Sequence, residues 1–515
     1  MEGTANIVLV RNQPGTFSGF QIRGNTDENS PQRPGEHGEF PEKRTADKVE
    51  IHFKVLGRPN EVPNIPDHVP VPTDPPLDVV IVGGGLSGLS AAWKLSDKNT
   101  LLLEWMDTAG GLAMQGQRDG VTYAQGAAYF TKPEGELLDF YREIGLGDPE
   151  KVEIPEPIDS YLADGRLVEE VWGTGLQELP PEFGRFKHFL ELLSKAEMIG
   201  GTPFEEESDK VKMLDKISAA QLLKPFGPRV KTFLDLYCRS ALGAPTDQIS
   251  AMAFLNFYRD EIGPRYAFKG GTGGVSEQLD RKIREKNPNL IQSGSLVYDV
   301  HNREDGLVEV RYNKDGKNHS VLAKQVIMAL PLSAASRVIK DLPESRKNLF
   351  NSIEHCNYIV HNVFTPEQVF DKSYDTWVKD VSFTDVIVTR WQETKAFTIP
   401  GSREGEGILT VYQPLPKKYW NGKMDEKDVR KFGQEALSDL ERLFPKMKEQ
   451  KWIDVESFRW PQSIHITKPG QITEQGERLR EPHGKILFAG NNLGVPSFEE
   501  ALIRGLQAAE TVGES

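Results

Sequence analysis

Four consecutive apolar, β-branched residues, Val79 to Val82, stand between Asp78 and a run of three glycines. The pattern then changes to helical spacing over Leu86 to Leu95 and returns to an apolar run at Leu101 to Leu103. A short apolar run bounded by turn residues reads as a strand buried on both faces, so this stretch predicts strand, turn, helix, strand. Helical periodicity recurs at Glu134–Ile144, Phe186–Met198, Arg229–Leu242, Ser276–Glu285, Asp425–Leu443 and Phe498–Val512. Alternation at Leu296–His301 and Leu307–Tyr312, around Glu304-Asp305-Gly306, predicts a hairpin. Apolar runs at Gln325–Leu330, Tyr358–Phe364, Val381–Thr389, Gly407–Tyr412 and Lys485–Ala489 predict further strands. Residues 131–240 read as a mostly helical cap rather than a continued parallel sheet.

Before Asp78 the pattern is weak. Residues 1–77 hold 11 of the 34 prolines, with short β-like pieces at Ile7–Val10 and Val49–Val55 and a proline-stiffened linker at Asp67–Pro76. Such an arm is expected either to wrap a partner subunit, giving a homodimer, or to lie on its own domain.

The turn Gly83-Gly84-Gly85-Leu86-Ser87-Gly88 has the GxGxxG spacing, and Glu104 follows Gly83 by 21 residues. In such a unit the first two glycines bring backbone close to a diphosphate, the third lets helix pack on strand, and the acid accepts from a ribose. The helix N-terminus adds unpaired N–H groups and a positive dipole end. Dinucleotide binding is the expected role; a phosphate-free βαβ crossover is the alternative. Three more small-residue stretches follow, at Asp107–Leu112, Gly120–Phe130 and Tyr266–Val275.

A length of 515 residues suggests two or three domains. The net charge of −14 argues against nucleic acid or an anionic membrane surface as partner. With only Cys238 and Cys356 there is neither a disulfide framework nor a CxxC pair, and the ten histidines show no metal-ligand spacing, so no metal is expected. No apolar run approaches the ~18 residues of a membrane helix, and residues 1–20 lack a secretory pattern, so a cytoplasmic protein is expected. GxSxG and P-loop motifs are absent.

Taken in order, Asp78–Phe130, Tyr266–Pro331 and Arg459–Val512 resemble the flavin-dependent amine oxidase superfamily, which includes monoamine oxidases, protoporphyrinogen oxidases and phytoene desaturases. The resemblance implies an α/β fold: a Rossmann-type FAD-binding domain from residues 78–130, 245–340 and 456–515, a mixed α+β substrate domain with a helical cap from 131–244 and 341–455, and the arm at 1–77. It implies that Gly83, Gly85, Leu86, Ser87 and Gly88 hold the pyrophosphate and Glu104 the adenosine ribose. Gly110, Gly111 and Leu112 would pass along the phosphate and ribityl chain, and Gly126, Ala127, Ala128 and Tyr129 would lie beside the isoalloxazine. Leu296 would clamp adenine through its backbone; Gly490, Asn491, Ser497 and Phe498 would close over the ribityl chain and pyrimidine edge.

The chain departs from the family pattern at several points. Leu112 replaces the common arginine after the double glycine, Met106 stands where a basic residue is frequent, and Asn491 replaces an acid. The last segment has no cysteine for a flavin linkage, and Ser497 occupies the place of an aromatic-cage tyrosine. The resemblance therefore implies non-covalent FAD. Lys372 falls where amine oxidases keep a lysine near the flavin, and Tyr129 and Trp460 are candidate pocket walls; these three are the expected catalytic residues. Arg459–Ile464 is similar to protoporphyrinogen oxidases and carotenoid desaturases, which implies a small organic, apolar substrate. The expected function is removal of a hydride from a C–N or C–C bond, the flavin being reoxidised by oxygen or another acceptor. A redox-neutral isomerase or mutase and a non-catalytic flavoprotein are the alternatives.

Overall fold

The structure is a computed structural model that describes residues 49–57, 69, 72, 74–147, 152–201, 209–391, 406–420 and 424–513, together with the backbone of two strands, Asn6–Gln13 and Thr16–Arg23. Half of the expected linker at 67–76 lies outside the described residues.

Strand Leu77–Val82 sits inside a seven-stranded sheet, between Thr100–Leu103 and Lys317–Met328, both parallel to it. Because strand side chains alternate between faces, Val79 and Ile81 face helices Leu86–Lys94, Gly273–Lys286 and Phe498–Gly513. Val80 and Val82 instead face the hairpin of Ser295–Asn302 with Val308–Lys314 and the helices Leu332–Val338 and Glu344–Asn351. All four are buried, as a parallel strand covered on both sides requires. The last helix packs directly on the first. Ser87 Oγ donates to the Ala501 carbonyl at 2.7 Å and Ser90 Oγ to that of Leu502 at 3.0 Å.

A second sheet has ten strands, in the order Thr16–Arg23, Asn6–Gln13, Glu50–Gly57, Trp452–His465, His355–Thr365, Gly407–Pro414, Asp385–Val388, Asp375–Val378, Asp159–Ala163 and Arg166–Glu169. Helix Glu426–Leu443 lays Ala436, Leu437 and Leu440 against it. Helices Pro181–Lys195, Gly227–Leu242 and Ala251–Glu261 form an aromatic-rich cluster around Phe186, Phe233, Phe254 and Tyr258 at one end. No helix among the described residues is long and apolar enough to cross a membrane.

The structure differs from the expected layout in three places. The boundary at 456 cuts through Trp452–His465, all of which belongs to the ten-stranded sheet. The boundary at 245 precedes helix Ala251–Glu261, which packs in the helical cluster. The stretch read as mostly helical contains the hairpin Asp159–Ala163/Arg166–Glu169, turned by Asp164 and Gly165 with φ of 52° and 76°. Positive φ at both positions is the signature of a tight two-residue hairpin, and the flanking strands are too short for period-2 patterning to stand out. Of the expected arm, the β-like piece Glu50–Gly57 lies on its own chain, pairing in parallel with Trp452–Arg459.

Candidate active site

One cavity of about 310 Å³ runs between the two sheets, from the glycine turn after Val82 to the side chains of the ten-stranded sheet. At the turn, Gly83 has φ +105°, and a Cβ there would stand 2.5 Å from the Ala329 carbonyl oxygen. Gly85 has nothing within 4 Å of its Cβ position, so open space begins where its side chain would be. Helix Leu86–Lys94 starts with no side-chain cap and no acid in its first turn, and Leu86 and Ser87 line the cavity. Uncapped N–H groups at the positive end of a helix dipole are a ready site for phosphate.

Gly88 takes the packing task expected of the third glycine rather than a place against the pyrophosphate. It does not line the cavity but packs behind the turn, where a Cβ would meet the Gly83 carbonyl oxygen at 1.9 Å. Glu104 is buried at the strand end. Its Oε2 accepts from Gly84 N–H at 2.6 Å and its Oε1 from Met106 N–H at 2.7 Å. Each oxygen keeps lone-pair capacity toward the cavity it lines, which suits a ribose diol. Gly110 donates its N–H to the Gly84 carbonyl at 2.8 Å, which ties the second glycine pair to the first.

The expected residues Gly83, Gly85, Leu86, Ser87, Glu104, Gly110, Gly111, Leu112, Gly126, Ala127, Ala128, Tyr129, Trp460, Gly490, Asn491, Ser497 and Phe498 all line this one cavity. Leu296 does not. Its strand begins beside the acid, with Ser295 N–H on the Glu104 carbonyl at 2.7 Å, and Leu296, expected to act through its backbone, is outside the lining. Lys372 is exposed and also outside, because Ser373 and Tyr374, not the lysine, turn inward ahead of strand Asp375–Val378. Ser497 Oγ accepts from Glu500 N–H at 2.9 Å, capping the last helix at the cavity rim. Trp460 is pinned by its Nε1–H on the Gln125 carbonyl at 2.7 Å and stacks on Phe458. These cradles and donors fit an extended dinucleotide, with Leu112 lining where a charged side chain was missing from the sequence.

The far wall holds residues that sequence reasoning missed. Arg265, fully buried, donates to both oxygens of Asp159, through Nη1 at 2.9 Å and through Nη2, and its Nη2 lies 2.9 Å from Glu261 Oε2. Tyr129 OH donates to that same Oε2 at 3.1 Å, and Trp377 Nε1–H to Asp159 Oδ1 at 3.0 Å. Arg265 also stands over the Tyr129 ring at 4.9 Å. Nearby, Asp375 and Asp385 open adjacent antiparallel strands, and Asp385 and Glu261 line the cavity. Burial pushes the Glu261 carboxyl up to about 7 against the pull of Arg265. Burial likewise holds Asp385 up at about 7 and Asp375 well above the usual carboxylate range. His355 and His465 line the opposite side; desolvation lowers them to about 4 and about 3, so both are neutral. No lysine or arginine appears among the described residues of the lining, and no group of three metal-ligating side chains occurs among the described residues. The signal for this wall was acid next to apolar context: Glu261 closes a helix that opens on the apolar run Ala251–Leu255, and Asp375 and Asp385 each lead into a buried strand.

The model of flavin containing amine oxidoreductases matches residues 86–513. The flavin-containing amine oxidase A of Equus caballus is 24% identical over 454 residues, covering 80% of this chain and 80% of that protein. Among solved structures, cyclohexylamine oxidase from Brevibacterium oxydans superposes with a TM-score of 0.63 at 19% identity, covering 85% of this chain and 99% of that one. A fatty acid isomerase from P. acnes superposes with a TM-score of 0.60 at 16% identity, covering 85% and 98%. With most of its length matched, this chain belongs to the flavin containing amine oxidoreductase family and is an FAD-dependent oxidoreductase.

Proposed function

We propose that this chain oxidises the C–N bond of an organic amine, with oxygen or another acceptor completing the cycle. The observation that carries this reading is the charge of the cavity wall. Glu261 and Asp385 line it among Phe257, Tyr358, Trp377, Ile387 and Tyr412, no lysine or arginine stands among the described lining residues, and Arg265 lies behind the wall with its Nη2 2.9 Å from Glu261 Oε2. Such a wall favours a cation and opposes an anion or a bare hydrocarbon, because a buried carboxyl left without a partner costs free energy that a cation offsets.

FAD, when bound, supplies the acceptor for a hydride. In the substrate, the α C–H bond breaks with its electron pair leaving as hydride, the nitrogen lone pair forms the C=N bond, and water hydrolyses the iminium to a carbonyl compound and an ammonium. The protein's part is to exclude water and aim the α-carbon, for which Tyr129, held by Glu261, and Trp460, held by the Gln125 carbonyl, serve as fixed walls. The isomerase reading draws on the fold shared with the fatty acid isomerase. A fatty acid, however, brings its own carboxylate into an acid-lined cavity.

Two measurements check this reading. Anaerobic addition of primary and secondary amines is expected to bleach the flavin absorbance; bleaching by unsaturation precursors alone would sink it. We also propose that the cofactor is held without a covalent bond, since neither Cys238 nor Cys356 lines the cavity. Acid precipitation is expected to leave the flavin in the supernatant, and flavin retained in the pellet would refute this.

A further inference from the structure

Hydride departure from an α-carbon needs the nitrogen lone pair, and an amine that titrates near about 10 arrives at neutral pH as an ammonium with none to give. A proton has to leave the substrate first, and a positioned side chain is the usual acceptor. Beyond the strand-end acid Glu104, three acids line the cavity: Glu261, Asp385 and Glu499. Glu499 spends its Oε1 on the N–H and the hydroxyl of Thr131, at 3.1 and 2.9 Å. Asp385 takes side-chain hydrogen bonds from Ser240 and Thr384.

Glu261 is built differently. Its Oε2 is anchored on both sides, by Arg265 Nη2 at 2.9 Å and by the Tyr129 hydroxyl at 3.1 Å. Its Oε1 is buried with no hydrogen-bond partner among the described residues. Buried polar atoms are almost always satisfied, so a bare oxygen on a cavity-lining acid marks where a donor belongs. The carboxyl faces Arg265 behind the wall, Asp159 and Asp375 on two strands of the ten-stranded sheet, and Glu499 on the last helix. Three phenols, Tyr129, Tyr237 and Tyr258, complete the surroundings, and burial keeps all three protonated. Desolvation raises Glu261 to about 7 against the pull of Arg265, so it is more basic than an ordinary carboxylate and still charged above neutral pH.

We propose that Glu261, through Oε1, is the catalytic base that takes the proton of the substrate ammonium, an inference that rests on the amine reading above. One N–H bond of the ammonium breaks, its electron pair stays on nitrogen as the lone pair, and the proton forms an O–H bond on Oε1. Ammonium and carboxylate thereby become neutral amine and carboxylic acid. The α C–H bond can then release hydride, and the proton on Oε1 passes to water once the product has left. Arg265 and Tyr129 serve as positioning residues, because their contacts to Oε2 turn Oε1 to the cavity.

The test follows anaerobic bleaching of the FAD-loaded full chain after rapid mixing with a saturating primary amine, the fastest of an n-alkyl and benzylic series, from about pH 6 to about pH 10. In the unaltered protein the rate is expected to climb about tenfold per pH unit below about 7 and to level off above it. In Glu261→Gln the rate at neutral pH is expected to fall by about 100-fold or more. It then keeps climbing toward the amine's own value of about 10, because only substrate that arrives neutral can react. Asp385→Asn is expected to keep the limb near 7; a limb lost there and kept in Glu261→Gln overturns the assignment. A flat profile in the unaltered protein overturns the base and leaves the amine reading standing, whereas bleaching by no amine overturns that reading itself. Binding gives a readout apart from turnover: tert-butylamine has no α C–H bond, and perturbation of the flavin absorbance reports its affinity. That affinity is expected to peak between the pKa values of Glu261 and the amine in the unaltered protein, and to rise steadily to about pH 10 in Glu261→Gln. The same pH dependence in both proteins overturns the proposal. If Glu261→Gln holds no flavin, Tyr129→Phe decides: it removes a hydrogen bond that holds the Glu261 carboxyl down, so the limb is expected to move to higher pH, and an unmoved limb overturns the proposal.

Discussion

Glu104→Ala protein is expected to purify colourless and to bind added FAD at least about 100-fold more weakly than the unaltered chain. The carboxylate has two tasks. It accepts N–H groups from Gly84 and Met106, which fixes the glycine turn and the loop after the second strand, and it turns its remaining lone pairs to the cavity where a ribose would lie. Hydrogen bonds to a charged group contribute about 1.5–3 kcal/mol each, so losing two to the ribose costs about 3–6 kcal/mol before the turn relaxes. At about 1.4 kcal/mol per tenfold, that is a loss of about two to four decades in affinity. Glu104→Gln, which keeps one acceptor oxygen, is expected to fall between. Flavin absorbance of the purified protein and titration of the stripped protein with FAD give the answer. Full flavin occupancy in Glu104→Ala would show that the acid does not touch the ribose.

The effect is expected to be large because little else is present to offset it. The lining holds no described lysine or arginine, and Leu112 stands where the family commonly has an arginine. The diphosphate charge would then be met by backbone N–H groups and by the uncapped first turn of helix Leu86–Lys94. Helix-dipole stabilisation amounts to about 0.3–1 kcal/mol at an exposed site and up to about 2 in a buried one. Such a site depends more than usual on its ribose contacts.

How much of this was legible in the chain follows from the range of the interactions. The strand–turn–helix–strand unit at 77–103 was readable because every determinant lies within 30 residues: buried β-branched positions, glycines where a Cβ has no room, and an acid at the strand end. The hairpin at Ser295–Lys314 was readable for the same reason. The ten-stranded sheet was not. Trp452–His465 pairs with Glu50–Gly57 on one side and His355–Thr365 on the other, partners about 400 and 100 residues away, and no local pattern encodes such pairing. Motif likeness at Arg459–Ile464 drew those residues into the wrong domain. Lys372 was placed by a loose match alone; it lies exposed in the irregular stretch ahead of strand Asp375–Val378, where Ser373 and Tyr374 are the residues buried.

The acid wall was the least legible feature and has the largest consequence for stability. Arg265→Met is expected to destabilise the fold by about 3–5 kcal/mol at neutral pH, the cost of removing one partner from a buried ion pair. Without the guanidinium, Asp159 loses a bidentate partner and Glu261 the attraction that opposes its desolvation. The sign of the pH dependence then separates this from simple loss of packing. Glu261 already titrates near 7 when folded, above its ordinary value of 4.5. A carboxyl raised by folding contributes stability that is complete below its unfolded pKa and is lost as pH rises through the folded one. In the unaltered chain, stability from Glu261 therefore declines between about 4.5 and about 7. In Arg265→Met the folded value rises further, so the decline extends to higher pH and the variant regains stability on mild acidification. Adding Asp159→Asn is expected to restore part of the loss, because the amide needs no counter-charge. Thermal unfolding of both variants across pH 5–8, roughly the range in which folded proteins are most stable, checks this. A deficit in Arg265→Met that neither acid nor Asp159→Asn relieves would mean that the arginine acts through its packing on Tyr129 rather than its charge.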